Sequence, residues 1–169
     1  IKSSHTIGKP HEEFGDEDYK KQMDAIDFTL KNDDGIRVNL FDKADVILVG
    51  VSRSAKTPTC LYLAMHFSLK AANYPLTDDD LDNEKLPEFL LPHLNKIAGL
   101  TIRADQLSAV RQQRRPNTPY ATLKKCQHEV KRAEVMMHKA GIFVLDSTAI
   151  SIEEIAVNIV KEKKLLKNN

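Results

Sequence analysis

The sequence predicts an α/β fold in which a parallel sheet is flanked by helices on both faces. Three observations predict it. Short apolar runs of about four to six residues recur along the 169-residue chain, and runs that short and continuous read as strands buried on both sides. Helical patterns of about ten or more residues separate most of them, an alternation that implies parallel pairing through crossover connections. The first run also ends in a glycine-opened loop that leads straight into a helix.

The elements follow in order. The chain opens at Ile1 without a methionine, and Ser3 to Glu13 is polar and patternless. Residues 1–15 therefore read as a linker from an N-terminal region missing from this sequence, and residues 16–169 as one domain. Between Asp16 and Lys31, Tyr19, Met23, Ile26 and Leu30 are spaced four, three and four apart. That spacing marks one helix face, with Asp33-Asp34-Gly35 as its stop. Ile36 to Leu40 reads as a short extended run. Ala44 to Val49 is the first buried strand, Gly50 to Thr57 breaks the pattern, and Pro58 stands at a helix start, where its missing N–H costs nothing. Thr59 to Leu69 continues that helix.

Ala71 to Leu76 reads as a second strand, with a helix start at Thr77-Asp78-Asp79-Asp80. Leu86 to Lys96 is predicted helical, Gly99 to Ile102 a strand and Ala104 to Arg114 a helix. Arg115-Pro116-Asn117 turns the chain into a long helix from Tyr120 to Lys139, closed by Gly141. Ile142 to Leu145 is the last strand, and Ser151-Ile152-Glu153-Glu154 is a capping box that opens a helix through about Lys163. The basic tail from Lys161 to Asn169 is expected to fray.

Composition narrows the function classes. The hydrophobic and charged fractions, 41% and 29%, are those of a globular domain. A formal net charge of +1 supplies no global field toward nucleic acid or anionic membrane. Two cysteines, Cys60 and Cys126, make no disulfide framework and fit a reducing, cytoplasmic setting. No apolar run nears the roughly 18 residues of a membrane span, and nothing resembles a signal peptide.

The chemistry lies in Gly50-Val51-Ser52-Arg53-Ser54-Ala55-Lys56-Thr57. This matches the phosphate-binding P-loop pattern G-x-x-x-x-G-K-[ST], except that Ala55 replaces the second glycine. A loop at a helix N-terminus turns free N–H groups and the positive end of the helix dipole toward an anion. Lys56 supplies a point charge, and Thr57 offers a hydroxyl to a magnesium ion shared with a nucleotide. Alanine at position 55 is cheap if the residue is helical and costs about 1 kcal/mol or more if φ is positive. Arg53 stands ready for a second phosphate or for solvent.

Across GVSRSAKTPTCLYLA, KAANYPL and GLTI, the chain resembles the bacterial regulatory proteins of phosphoenolpyruvate synthase and pyruvate, phosphate dikinase. Asp33-Asp34-Gly35, Arg111 and Arg114 in VRQQR, and Asp146-Ser147-Thr148 before SIEEIA carry the resemblance further, from Tyr19 to about Val160. It implies a bifunctional enzyme. Using ADP, such proteins phosphorylate a threonine beside the catalytic phosphohistidine of their target. With inorganic phosphate they remove that group as pyrophosphate. The lead-in HTIGKPHEEFGDEDY and the segment KKQMDAIDF favour phosphoenolpyruvate synthase over the dikinase as the protein partner.

By this resemblance Gly50 to Thr57 hold the ADP phosphates, Thr57 meets Mg2+, and Lys56, Asp34 and Asp146 are the catalytic candidates. Arg111 and Arg114 are candidates for the target or its phosphate. Asp33, Asp78 and Asp80 compete for the acid's role, whereas Asp45 heads its strand at the wrong end. A homodimer is left open. Two rival readings stand beside this one, a small-molecule P-loop kinase that uses ATP and a non-catalytic ADP-binding regulatory domain.

Overall fold

The computed structural model describes residues 2–33 and 38–165, with side chains for 15–33 and 39–165. Four strands, β1 (Val46–Gly50), β2 (Ala71–Pro75), β3 (Ile97–Thr101) and β4 (Phe143–Asp146), form an all-parallel sheet in the order β2-β1-β3-β4. The helices are α1 (Lys2–Lys31), α2 (Lys56–Phe67), α3 (Asp78–Asn83), α4 (Ala104–Arg114), α5 (Leu123–Lys139) and α6 (Ile152–Lys163). The α/β expectation, with helices on both faces, holds.

Alternation along the strands builds two core layers. Ile47 and Val49 pack with Leu107, Val130 and Met137 on one face. Val46 and Leu48 pack with Cys60, Leu63, Ile155 and Ile159 on the other. Side chains of successive strand residues point to opposite faces, so a strand apolar at every position must be covered twice. The sheet also sets the site. β2 and β3 flank β1 on opposite sides, so the chain reverses its progression between β1 and β3. At such a switch point a crevice opens beyond the carboxyl ends of the strands.

Several expectations change. α1 runs back to Lys2 through the segment read as linker. Gly8, Pro10 and Gly15 hid it, since glycine and proline cost a helix about 1 and 3 kcal/mol. The predicted apolar face of this helix is turned outward. Tyr19, Met23 and Leu30 are exposed, whereas Ala25, Phe28, Thr29 and Asn32 are buried. The inner face is partly polar because it lies on the sheet's edge strand, where Thr29 Oγ1 accepts from the Ala71 N–H. Gln22 likewise donates to the Met65 carbonyl of α2.

Val38–Lys43 is a 3-10 helix, not an extended run, and it buries Phe41. Residues 36 and 37, and the Asp34-Gly35 stop, lie outside the described residues. Glu88–Lys96 is also 3-10 rather than α-helical, with Pro92 inside it withdrawing an N–H. A separate 3-10 turn, Pro119–Ala121, precedes α5. The caps are largely as read. Thr77 and Asp80 close a reciprocal capping box, and the Ser151 hydroxyl accepts from the Glu154 N–H. Gly141, past the end of α5, takes a left-handed φ of 71°.

Candidate active site

The loop after β1 enters the crevice through a close approach that only glycine permits. A Cβ on Gly50 would stand 2.5 Å from the Leu100 carbonyl oxygen and 2.8 Å from Ser54 Oγ. Beyond it the backbone turns sharply, with φ of 71° at Arg53 and 78° at Ala55. Ala55, the residue preceding α2, therefore occupies the costly alternative of the two considered from sequence. It carries the strain that a glycine would not.

Side chains hold the loop's carbonyls from outside. Lys56 Nζ, buried, donates to the Val51 carbonyl at 2.6 Å, as does Ser54 Oγ at 2.8 Å. Arg111 donates to the Ser52 carbonyl at 3.1 Å, and Ser147 Oγ to the Ser54 carbonyl at 3.2 Å. In a planar trans peptide the next N–H points opposite to the carbonyl. Fixing the carbonyls of Val51, Ser52 and Ser54 thus aims the N–H groups of Ser52, Arg53 and Ala55 away from those donors. The opening N–H groups of α2 add to this set, since no carbonyl within their own helix can accept from them.

A cavity of about 710 Å³ adjoins the loop, lined by Ser52, Arg53, Ala55, Lys56 and Thr57. Gly50, Val51 and Ser54 do not line it; Val51 and Ser54 are buried as its foundation. The cavity reaches past Pro58 to Asp33 on one side and along Ile102, Gln106, Val110 and Arg114 to Ser147 and Thr148 on the other. Arg114, read from sequence as a candidate for the target or its phosphate, lines the cavity. Asp33 is the acidic side chain among the lining residues. Its Oδ1 accepts from Thr57 Oγ1 at 2.9 Å and from Asn73 Nδ2 at 2.6 Å. Thr57 and Asp33 together present the hard oxygen atoms that suit Mg2+.

The other candidates stand elsewhere. Asp146 ends β4 on the same edge of the sheet, but it is exposed and does not line the cavity. Its Oδ1 accepts from the N–H and the hydroxyl of Thr148 in a local turn. Asp34 lies outside the described residues. Arg111 does not face the cavity; it is fully buried and paired in two-pronged fashion with Glu129, at 2.9 and 3.1 Å. Burial disfavours its charge, yet the hydrogen bond and charge of Glu129 prevail and hold the guanidinium above its ordinary pKa. Arg111 and Arg114 thus differ in kind. The inward turn of Arg111 was legible in its spacing of four from the buried Leu107.

Asn73, Tyr120 and Glu129 are the residues that sequence reasoning passed over, whereas Asp33 was one of the competing acids. A lone asparagine in an apolar strand was the available signal for Asn73, which is buried. Cys60, beneath Lys56, is no nucleophile. Burial raises its thiol pKa far more than nearby Lys56 lowers it, and Asp33 raises it further. Among the described residues no helix is long and apolar enough to cross a membrane.

A model of the family described as kinase/pyrophosphorylase matches residues 1–160. A protein of Bordetella avium (strain 197N) named "Putative phosphoenolpyruvate synthase regulatory protein" is 52% identical over 96% of this chain and 59% of its own length. A protein of the same name from Pseudomonas putida (strain GB-1) is 48% identical over 95% of this chain and 59% of its own. One from Marinobacter nauticus is 47% identical over 94% and 58%. The chain thus spans under two thirds of the length of the curated relatives it matches.

Proposed function

The chain belongs to the kinase/pyrophosphorylase family, and from that premise we propose that its cavity runs two opposed phosphoryl transfers. In one, ADP is the donor and a threonine of phosphoenolpyruvate synthase the acceptor, next to that enzyme's catalytic histidine. The threonine oxygen attacks the β-phosphorus, its proton passes to the departing AMP phosphate or to solvent, the bond from the β-phosphorus to the bridging oxygen breaks, and AMP leaves. In the other, an oxygen of hydrogen phosphate attacks the phosphorus of the phosphothreonine, the bond from that phosphorus to the threonine oxygen breaks, and pyrophosphate departs as the threonine oxygen takes up the proton given up by the attacking phosphate. The observation that carries this reading is a single cavity in which Lys56 underpins a left-handed loop and Thr57 meets Asp33.

Both transfers need positioning and charge neutralisation more than covalent help from the protein. The N–H groups of the loop and the Lys56 ammonium would take the ADP phosphates, which requires Lys56 to exchange its bond to Val51 for one to phosphate. Thr57 and Asp33 would hold Mg2+, which neutralises phosphate charge when bound. Arg114, across the cavity, would meet the phosphate or backbone of the protein substrate. Asp33 would thereby serve the cation beside Thr57, a different part from the catalytic one assigned from sequence to Asp34 and Asp146.

The test incubates the chain with phosphoenolpyruvate synthase, Mg2+ and ADP labelled on its β-phosphate, and follows labelled threonine together with AMP. Label that appears with wild type and is lost with Lys56→Ala supports the proposal. Transfer from ATP to a small molecule instead would favour an ordinary P-loop kinase. ADP binding without transfer would leave a regulatory binding domain.

A further inference from the structure

Behind the loop, on the side away from Thr57 and Asp33, lies a buried charged arrangement that the transfer chemistry does not use. Arg111 of α4 shares its guanidinium between both carboxylate oxygens of Glu129 on α5, the Tyr120 carbonyl at 3.0 Å and the Ser52 carbonyl at 3.1 Å. The Tyr120 ring lies 4.1 Å from the guanidinium carbon, and the Tyr120 hydroxyl hydrogen-bonds Ser52 Oγ at 2.6 Å. Ser52 is therefore gripped twice, by its carbonyl and by its hydroxyl, from residues about sixty positions further along the chain.

Stability alone is a poor reason for this arrangement. A buried ion pair gives up the hydration of two charges, and apolar side chains of the same volume often serve the fold as well or better. Arg111 Nε is buried with no hydrogen-bond partner, a further cost. What apolar substitutes would not supply is a donor to the Ser52 carbonyl. That carbonyl belongs to the Ser52–Arg53 peptide, which enters the left-handed residue Arg53. With the carbonyl drawn toward Arg111, the Arg53 N–H is turned the opposite way, and a flip of this peptide would reverse it.

We propose that Arg111, Glu129 and Tyr120 form a latch that locks the Ser52–Arg53 peptide in the orientation the phosphate loop needs to bind ADP. They are positioning residues. Glu129 orients Arg111, Arg111 holds the carbonyl, and Tyr120 holds the hydroxyl of the same serine. The inference rests on the proposed use of ADP for its functional readout, while the locked peptide itself does not.

The test uses the whole chain and two readouts. Tyr120→Phe keeps the ring and removes only the bond to Ser52 Oγ, and Arg111→Lys keeps a charge but cannot span Glu129 and Ser52 together. In ligand-free protein, amide exchange at Arg53 and Ser54 is expected to quicken in both variants while exchange in β1 and β3 stays at the wild-type rate. ADP titration in Mg2+ is expected to show about three- to tenfold weaker binding for Tyr120→Phe, the scale of one hydrogen bond. In a Ser52→Ala background Tyr120→Phe is expected to add nothing more, because its partner is gone.

Unchanged loop exchange in both variants overturns the latch, and so does a Tyr120→Phe effect of equal size with or without the Ser52 hydroxyl. Wild-type protein that binds no ADP, yet shows the exchange differences, overturns the proposed function and leaves the latch standing.

Discussion

The two flanks of the loop from Gly50 to Thr57 are built on opposite principles. Toward α4 and α5, Arg111 and Glu129 are buried, charged and locked together, and they hold Ser52 from behind. Toward β2, Asp33 and Thr57 are half-buried, and the contacts of Asp33 to Thr57 and Asn73 are single hydrogen bonds. A buried pair cannot exchange partners without stranding a charge, so that flank is committed to one geometry. A half-buried hydroxyl and carboxylate can trade each other for a cation or a phosphate oxygen at small cost. One side of the loop sets its shape, and under the proposed function the other is left for ligands.

If that contrast is right, damage to the first flank appears chiefly as lost stability and damage to the second as lost binding. The largest effect is expected from Arg111→Ala, which leaves the buried Glu129 carboxylate facing only the more distant Lys125 ammonium, at 3.9 Å, among the described residues. Urea unfolding should show a loss of about 3–5 kcal/mol, and thermal unfolding a fall on the order of 10 °C. A stable, ADP-binding Arg111→Ala protein would dissolve the contrast. Gly50→Ala, beneath both flanks, is expected to cost about 1–3 kcal/mol, because the new methyl meets the Leu100 carbonyl and Ser54 Oγ.

Ala55→Gly should act in the opposite direction. It relieves a φ of 78° and is expected to raise stability by about 1 kcal/mol, seen as a higher urea midpoint at unchanged slope. Least in stability, and sharpest for the comparison, is Asp33→Asn. An amide oxygen still accepts from Thr57 and Asn73, so unfolding should move by less than about 1 kcal/mol. The enhancement of ADP binding by Mg2+ should nevertheless disappear, as titrations with and without the cation would show.

Much of this was legible in the sequence, for physical reasons. β1, the loop and α2 announced themselves because a doubly buried strand, a glycine at a close approach and a lysine at a helix start each need a particular residue type. Other features turned on direction, which spacing alone did not settle. Asp33 and Asp34 are neighbours at a helix end, and only Asp33 can be placed, on Thr57 and Asn73. Arg111 and Arg114 share a helix, yet one fills the core and the other lines the cavity. The apolar set on α1 indicated a helix but misled about its face, because the inward side serves the N–H groups of an edge strand with Thr29. Whether Ala55 was cheap or strained depended on a backbone angle that composition does not report.

Under the proposed function, Gly50 to Thr57 form a nucleotide phosphate site with Lys56 as its charge. Calorimetric titration of ADP with Mg2+ into wild type and Lys56→Ala tests it most directly. Saturable one-to-one binding by wild type is expected, with at least tenfold weaker binding by the variant, about 1.4 kcal/mol or more. Equal affinity in a folded Lys56→Ala protein would contradict it.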